Sequence, residues 1–341
     1  MAVEPLTADI AALVAEAGLP ASGLAVEPCA GGGNNRVFIV HAGRERYVAK
    51  CYFRHASDTR DRLAAEYAFL EYATGCGVRS VPRPLRRDDA RGLALYEFIE
   101  GRRLEATEID ARHVDAAAQF FLAINASTHR SAASRLPFAS EACFTVAAHL
   151  TLVDGRIARL DSIAGGSAAD AEAQRFTVRL RETWLQVRAR VMSDTDALPG
   201  AGGPLTEHSR CVSPSDFGFH NALMRPDGAL CFLDFEYAGR DDPAKMAADF
   251  FAHPAITVPP AFRSRFIDAT MAFAADRDGL KQRARLLEPV FRIKWCCIML
   301  NEFLPDAVTR RRFADPGADS EVRKHAQIEK AQRHLASLGE H

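Results

Sequence analysis

The sequence predicts an α+β fold in two unequal lobes, a small β-rich lobe at the N-terminus and a large, mainly helical lobe after it. Three observations carry this expectation. Up to Gly101 the pattern runs strand, Gly-rich turn, strand, strand, helix, strand, strand. Beyond Gly101 apolar residues recur at helical spacing over long stretches. Residues 212–237 alone break that texture, with an irregular stretch followed by a short hairpin. With 341 residues, 48% of them hydrophobic, the chain is long enough to bury a substantial core.

The elements follow in order. Residues 9–17 place Ile10, Leu13, Val14 and Ala17 at helical spacing and stop at Gly18. Residues 24–26, 37–40 and 47–51 read as strands, with Gly31, Gly32, Gly33 and Asn34 turning between the first two and residues 41–45 between the second and third. Residues 58–73 carry Leu63, Tyr67 and Leu70 on one helical face and end near Gly75. Two more strands are expected, around residues 82–86 and 93–99. In the second lobe, residues 110–128, 176–191 and 283–303 have the length and spacing of buried helices, and residues 164–173 and 198–204 read as small-residue loops. Between them lie the irregular residues 213–220, an apolar strand at 222–224, a Pro226-Asp227-Gly228 turn and a second strand at 230–233. Functional side chains tend to sit on such loops when a rigid frame holds them.

Charge and cysteine content narrow the function classes. The net charge is −1 and is even along the chain, with 12 basic against 13 acidic residues up to Gly101 and 31 against 31 after it. That leaves no electrostatic footprint for nucleic acid or for an anionic membrane. The eight cysteines form no C-x-x-C pair and several sit in apolar runs, so free buried thiols and a reducing, cytoplasmic setting are expected. No window approaches the ~18 uninterrupted apolar residues of a membrane span. There is no G-x-S-x-G elbow, no H-x-x-x-H or H-E-x-x-H pair and no G-x-x-x-x-G-K-[ST] loop, which sets aside serine hydrolases, histidine zinc sites and P-loops.

The residues with chemical content are few. Asp216 is followed five positions later by Asn221, and Asp234 follows on the far side of the hairpin. Phosphoryl transfer needs a carboxylate to orient the acceptor hydroxyl and oxygen ligands to hold Mg²⁺ against the nucleotide phosphates. These three side chains supply that set. In the first lobe, Lys50 ends the apolar strand Tyr47-Val48-Ala49. Only six of the 43 basic residues are lysine, and Lys50 is the sole lysine in the first 244 residues. Where surface charge is written as arginine, a lone strand lysine points to a compact charge kept for phosphate oxygens.

Together these features resemble the protein-kinase-like fold, and the text Asp234-Phe235-Glu236-Tyr237-Ala238-Gly239 with Asp242-Pro243 looks specifically like its aminoglycoside phosphotransferase and choline kinase branch. The resemblance implies a nucleotide-binding lobe over residues 1–101, an antiparallel sheet plus one helix, and a helical lobe over 102–341 with the catalytic loop and substrate site. It implies Asp216 as catalytic base and Asn221 and Asp234 as Mg²⁺ ligands. Lys50 would bind nucleotide phosphates and pair with a Glu on the following helix, Glu66 by its central position, with Glu71 in reserve. Gly32, Gly33 and Asn34 would cover the phosphates, and Glu97 and Ile99 would present backbone groups to adenine. The cofactors implied are ATP, or another nucleoside triphosphate, and Mg²⁺. The acceptor would be a small-molecule hydroxyl, on a sugar, an amino alcohol or an aminoglycoside. Alternatives of the same fold are a catalytically inactive nucleotide-binding module and a protein kinase, the latter disfavoured by Glu236, where protein kinases have glycine. The family's usual His two residues before the catalytic Asp is Pro214 here. His220 is read as a loop histidine that caps or packs, and Asp241, Asp242 and Asp249 as structural acids at a helix start.

Overall fold

The computed structural model describes residues 3–29, 34–55, 60–197, 203–305, 313 and 320–339. The first lobe is built on a five-stranded antiparallel sheet in the order β1-β2-β3-β5-β4, from β1 (Ala25–Cys29), β2 (Arg36–Ala42), β3 (Glu45–Cys51), β4 (Pro84–Asp88) and β5 (Leu93–Glu97). Side chains alternate across a strand, and here both faces are used. Phe38, Val40, Ala49, Cys51, Leu93 and Leu95 pack beneath α1 (Val3–Glu16) through Leu6, Ile10, Leu13 and Val14. The opposite face, with Val48, Ala94 and Tyr96, meets α2 (Arg62–Gly75). The sheet therefore carries both helices that the sequence pattern predicts, one more than the family resemblance implies. Asp61 caps α2 by accepting from the Ala64 amide at 3.0 Å.

The second lobe begins with β6 (Arg102–Arg103), followed by α3 (Ala111–Ile124), the single turn α4 (Arg130–Ala133), α5 (Val146–Arg159) and α6 (Ala168–Ala197). Residues 164–173, expected to be a loop, are helical from Ala168. The reason is a reciprocal cap: Ser167 Oγ accepts from the Asp170 amide at 3.2 Å and Asp170 Oδ2 accepts from the Ser167 amide at 3.1 Å. The other expected loop, residues 198–204, lies largely outside the described residues.

Two small sheets follow and frame the loop that matters. Strand β7 (Cys211–Ser213) pairs with β10 (Gly239–Asp241), while β8 (Ala222–Met224) lies between β6 and β9 (Leu230–Phe232). The helices α7 (Pro243–Ala252), α8 (Arg263–Thr270), α9 (Arg277–Met299) and α10 (Ser320–Ala336) complete the lobe. One apolar cluster runs from α2 through α3 and the two small sheets to α7 and α9. All eight cysteines are free, and five of them, Cys51, Cys211, Cys231, Cys296 and Cys297, are buried. No helix among the described residues is long and apolar enough to cross a membrane.

Candidate active site

Strand alternation places Lys50 on the α2 side of the sheet, opposite Ala49 and Cys51. On α2, Leu63, Glu66, Tyr67 and Leu70 share one stripe at i, i+3, i+4 and i+7, so Glu66 is carried into the core toward the strand. Lys50 Nζ donates to Glu66 Oε2 at 2.7 Å and Oε1 at 3.0 Å. Tyr52 donates its hydroxyl to Glu66 Oε2 at 2.7 Å and lies 2.6 Å from the Tyr96 hydroxyl, which fixes the carboxylate from a second side. Glu71, the reserve partner, is exposed.

The third partner of Lys50 comes from the second lobe. Phe69 of α2 stacks on Phe235 with ring centroids 4.5 Å apart, and the Phe235 amide reaches Glu66 Oε1 at 3.4 Å. This packing brings Asp234 Oδ1 to 2.8 Å from Lys50 Nζ, across 184 residues of sequence. Burial opposes charge on Lys50, but Asp234, Glu66 and Glu236 hold its ammonium well above the ordinary lysine range.

The loop between β7 and β8 is anchored by its aromatic residues. Phe217 and Phe219 turn inward against Phe250, and Phe217 also meets Phe120 and Phe232, all at centroid distances of 5.1–5.6 Å. Their burial leaves Asp216 only part-buried. Asn221 Nδ2 donates to the Asp216 carbonyl at 3.0 Å, and the Leu233 amide donates to the Asn221 carbonyl at 2.8 Å. Those two bonds tie Asp216, Asn221 and the residue before Asp234 into one unit. Ser215 and Asp234 both have positive φ, 54° and 66°, a conformation that costs a non-glycine residue of order 1 kcal/mol and collects at functional sites.

Beneath this unit lies a buried charge network. Lys245 Nζ reaches Asp241 Oδ2 at 2.5 Å and Ser215 Oγ at 3.4 Å, so α7 holds the loop from below. Asp249 accepts from Lys294 at 2.7 Å and from Trp295 Nε1 at 2.8 Å. Asp242 caps α7 by accepting from the Ala244 amide, and also accepts from Arg283 Nε at 2.8 Å beside His149 Nε2 at 3.0 Å.

Sequence reasoning missed several contributors. His220, read as a loop histidine that caps or packs, and His253 at the end of α7 both bring Nε2 to 3.4 Å from Asp216 Oδ1. Burial penalises the Asp216 carboxylate, but His220, His253 and Lys294 hold it below the usual carboxylate range. Glu236, adjacent to the motif, accepts from Asn34 Nδ2 at 2.6 Å and from Asn35, and the Asn34 amide also reaches the Tyr237 hydroxyl at 2.9 Å. Burial and the neighbouring Asp234 push Glu236 up to about 7. The link between Asn34 and Glu236 spans 202 residues and left no local signal. Gly32 and Gly33 lie outside the described residues. Glu97 ends β5, its amide donating to the Arg83 carbonyl at 3.0 Å, and the Ile99 amide makes no backbone hydrogen bond among the described residues.

The phosphotransferase enzyme family (APH) matches residues 25–286. The chain belongs to that family. No curated protein sequence matches it. Among solved structures this phosphotransferase is similar to the ethanolamine kinase of Plasmodium vivax, at 12% identity over 91% of this chain and 82% of that one, with a TM-score of 0.57. It is similar to the choline kinase LicA of Streptococcus pneumoniae, at 17% identity over 98% of each chain and a TM-score of 0.55. A spectinomycin phosphotransferase solved with ADP and spectinomycin gives 11% identity over 91% and 93% of the two chains, with a TM-score of 0.55. At these identities the likeness establishes the fold, a kinase-like pair of lobes.

Proposed function

We propose that this phosphotransferase moves the γ-phosphoryl group of ATP, or of another nucleoside triphosphate, to a hydroxyl of a small molecule bound in the second lobe. The observation that carries this reading is the convergence on Lys50 of Glu66 from α2 and Asp234 from the far hairpin. A buried lysine with two carboxylate partners is a fixed point charge at the junction of the lobes, the arrangement that positions nucleotide phosphates. The lobes are read as residues 1–101 and 102–341, with Glu97 and Ile99 offering backbone groups to the base and Gly32, Gly33 and Asn34 covering the phosphates.

Asn221 and Asp234 suit Mg²⁺, because both offer oxygen ligands. Asp234 is 40% exposed where Lys50 is 10% exposed, so part of its carboxylate stays open. When bound, Mg²⁺ supplies charge neutralisation on the phosphates. Asp216 orients the acceptor hydroxyl and takes its proton as the acceptor oxygen bonds to the γ-phosphorus and the bond to the departing ADP oxygen breaks. The titratable neighbours of Asp216 are His220, His253 and Lys294.

The test is a nucleotide-consumption screen of the purified chain against sugars, amino alcohols, hydroxy acids and aminoglycosides, with Asp216→Asn as blank. Consumption dependent on one acceptor class and lost in Asp216→Asn is expected. Full turnover by Asp216→Asn would remove the role given to that residue.

A further inference from the structure

The carboxylate of Asp216 has an unusual set of neighbours. Pro214, two residues earlier, has no donor to offer, and Asn221 spends its amide on the Asp216 carbonyl rather than the side chain. The polar atoms nearest the carboxylate are instead two imidazole nitrogens, Nε2 of His220 and of His253, both 3.4 Å from the same oxygen, Oδ1. His253 arrives from the C-terminal end of α7, 37 residues along the chain.

The His253 ring is fixed on three sides. Its face stacks on His220 with centroids 3.4 Å apart and planes within 2°. The ring meets Trp295 in an edge-to-face contact at 4.4 Å and 77°. Its Nδ1 accepts the Ala255 amide at 3.2 Å. A neutral imidazole carries one proton, so a ring that accepts at Nδ1 holds that proton on Nε2, the atom facing Asp216. Burial and the adjacent His220 push His253 down to about 3, which keeps the ring neutral at physiological pH. Glycine at 218 leaves the His220 ring its place, since a Cβ there would lie 2.9 Å from His220 Nδ1.

We propose that His253 is a positioning residue for Asp216: its Nε2–H holds Oδ1, His220 backs the ring, and Oδ2 is thereby the oxygen turned toward the acceptor hydroxyl. This rests on the reading of Asp216 given above. A separation of 3.4 Å is long for the bond, as catalytic contacts often are before substrate is bound, and it shortens in the working complex. Asp216, His220 and His253 also stand close enough together to hold a cation. Metal ligation would require Nε2 of His253 to be unprotonated, and the Ala255 bond selects the opposite tautomer.

Two measurements on the full chain test this. A long-range proton–nitrogen correlation spectrum of the protein labelled at histidine is expected to show His253 as the neutral Nε2–H tautomer, and needs no turnover. The Nδ1–H tautomer would overturn the proposal, as would stoichiometric Zn²⁺ binding that is lost in His253→Phe. Kinetically, with Mg·ATP and water as acceptor, His253→Phe keeps a ring against His220 and Trp295 but has no donor. Phosphate release should fall at least tenfold in kcat with the KM for ATP within twofold, and His253→Gln, which restores an N–H near the same place, should recover most of the loss. An unchanged kcat in His253→Phe, with Asp216→Asn inactive, would sink the role of His253 and leave that of Asp216 standing. Full turnover in Asp216→Asn would instead sink the reading on which it rests.

Discussion

Replacing Glu66 by Gln removes one charge from the centre of the site with almost no change in shape. The amide must then place its NH₂ at one of two positions. At Oε1 it would face Lys50 Nζ and the Phe235 amide, both donors. At Oε2 it would face Lys50 and Tyr52, but the Tyr52 hydroxyl can turn its proton to Tyr96 and accept from the amide. The second orientation is cheaper and still forfeits the 2.7 Å bond to Lys50. A hydrogen bond to a charged group contributes about 1.5–3 kcal/mol, and stripping one partner from a buried ion pair costs about 3–5 kcal/mol. Lys50 keeps Asp234 at 2.8 Å, although that carboxylate is 40% exposed and its attraction is partly screened. The expected loss of stability is therefore about 2–4 kcal/mol, read as a lower urea midpoint at unchanged slope. A double-mutant cycle with Lys50→Met isolates the pair and should return a coupling above about 1 kcal/mol. A loss below about 0.5 kcal/mol would mean that Asp234 alone neutralises Lys50, and the structural role given to Glu66 would be wrong.

Three further outcomes follow from the same geometry. Asp242→Ala removes the α7 cap together with the buried carboxylate facing Arg283 and His149, and should cost about 3–5 kcal/mol in urea unfolding, with Asp242→Asn costing less because it keeps the cap. His334 is pushed down to about 4 by burial and by Arg292. The unfolded chain therefore binds a proton near the ordinary histidine pKa of 6.5 that the folded chain refuses, so stability is lost as pH falls from about 6.5 to about 4. At 1.36 kcal/mol per pKa unit the loss is at most about 3 kcal/mol, and His334→Gln should flatten that part of the stability curve. Removing Mg²⁺ with a chelator should abolish phosphoryl transfer and leave the circular dichroism unchanged; activity that survives chelation would rule out the ligand role of Asn221 and Asp234.

What could be read from the sequence was whatever is local. Strand alternation and helix periodicity are short-range, so residues 47–50 and 63–70 carry the facing of Lys50 and Glu66, although the choice of Glu66 over Glu71 rests on its central position in the helix. The Asp216 to Asn221 spacing spans one loop, and a single hairpin separates it from Asp234. What was not legible joins distant segments. The β7–β10 pair, the Asn34–Glu236 bond and the approach of His253 to Asp216 are set by how α7 and the sheets pack, and no spacing announces them. The start of α6 is a different case. Ser167 and Asp170 form a capping pair visible as S-x-x-D, and the small residues around it masked a signal that was there.

The same holds for the lysines. Scarcity singled out Lys50 because a chain that writes surface charge as arginine has a reason for each lysine it keeps. The structure extends that logic to the other five. None of the six is exposed: Lys50, Lys245 and Lys294 are buried, and Lys281, Lys324 and Lys330 are intermediate. Lys245 and Lys294 carry the network under the loop that bears Asp216, the first bridging Asp241 to Ser215, the second neutralising Asp249. Arginine is also found buried, at Arg62, Arg283 and Arg292. Its planar fork, however, needs several acceptors arranged in a plane, whereas an ammonium is a point charge that fits beside one carboxylate and one hydroxyl. Lys245 occupies such a space, between an Asp241 oxygen and the hydroxyl of a residue held at positive φ. The argument that identified Lys50 therefore identifies the support of Asp216 as well. An acid four residues before and four after Lys245, at Asp241 and Asp249, was the accompanying signal, and reading those acids only as helix-start chemistry left the lysine between them unexamined.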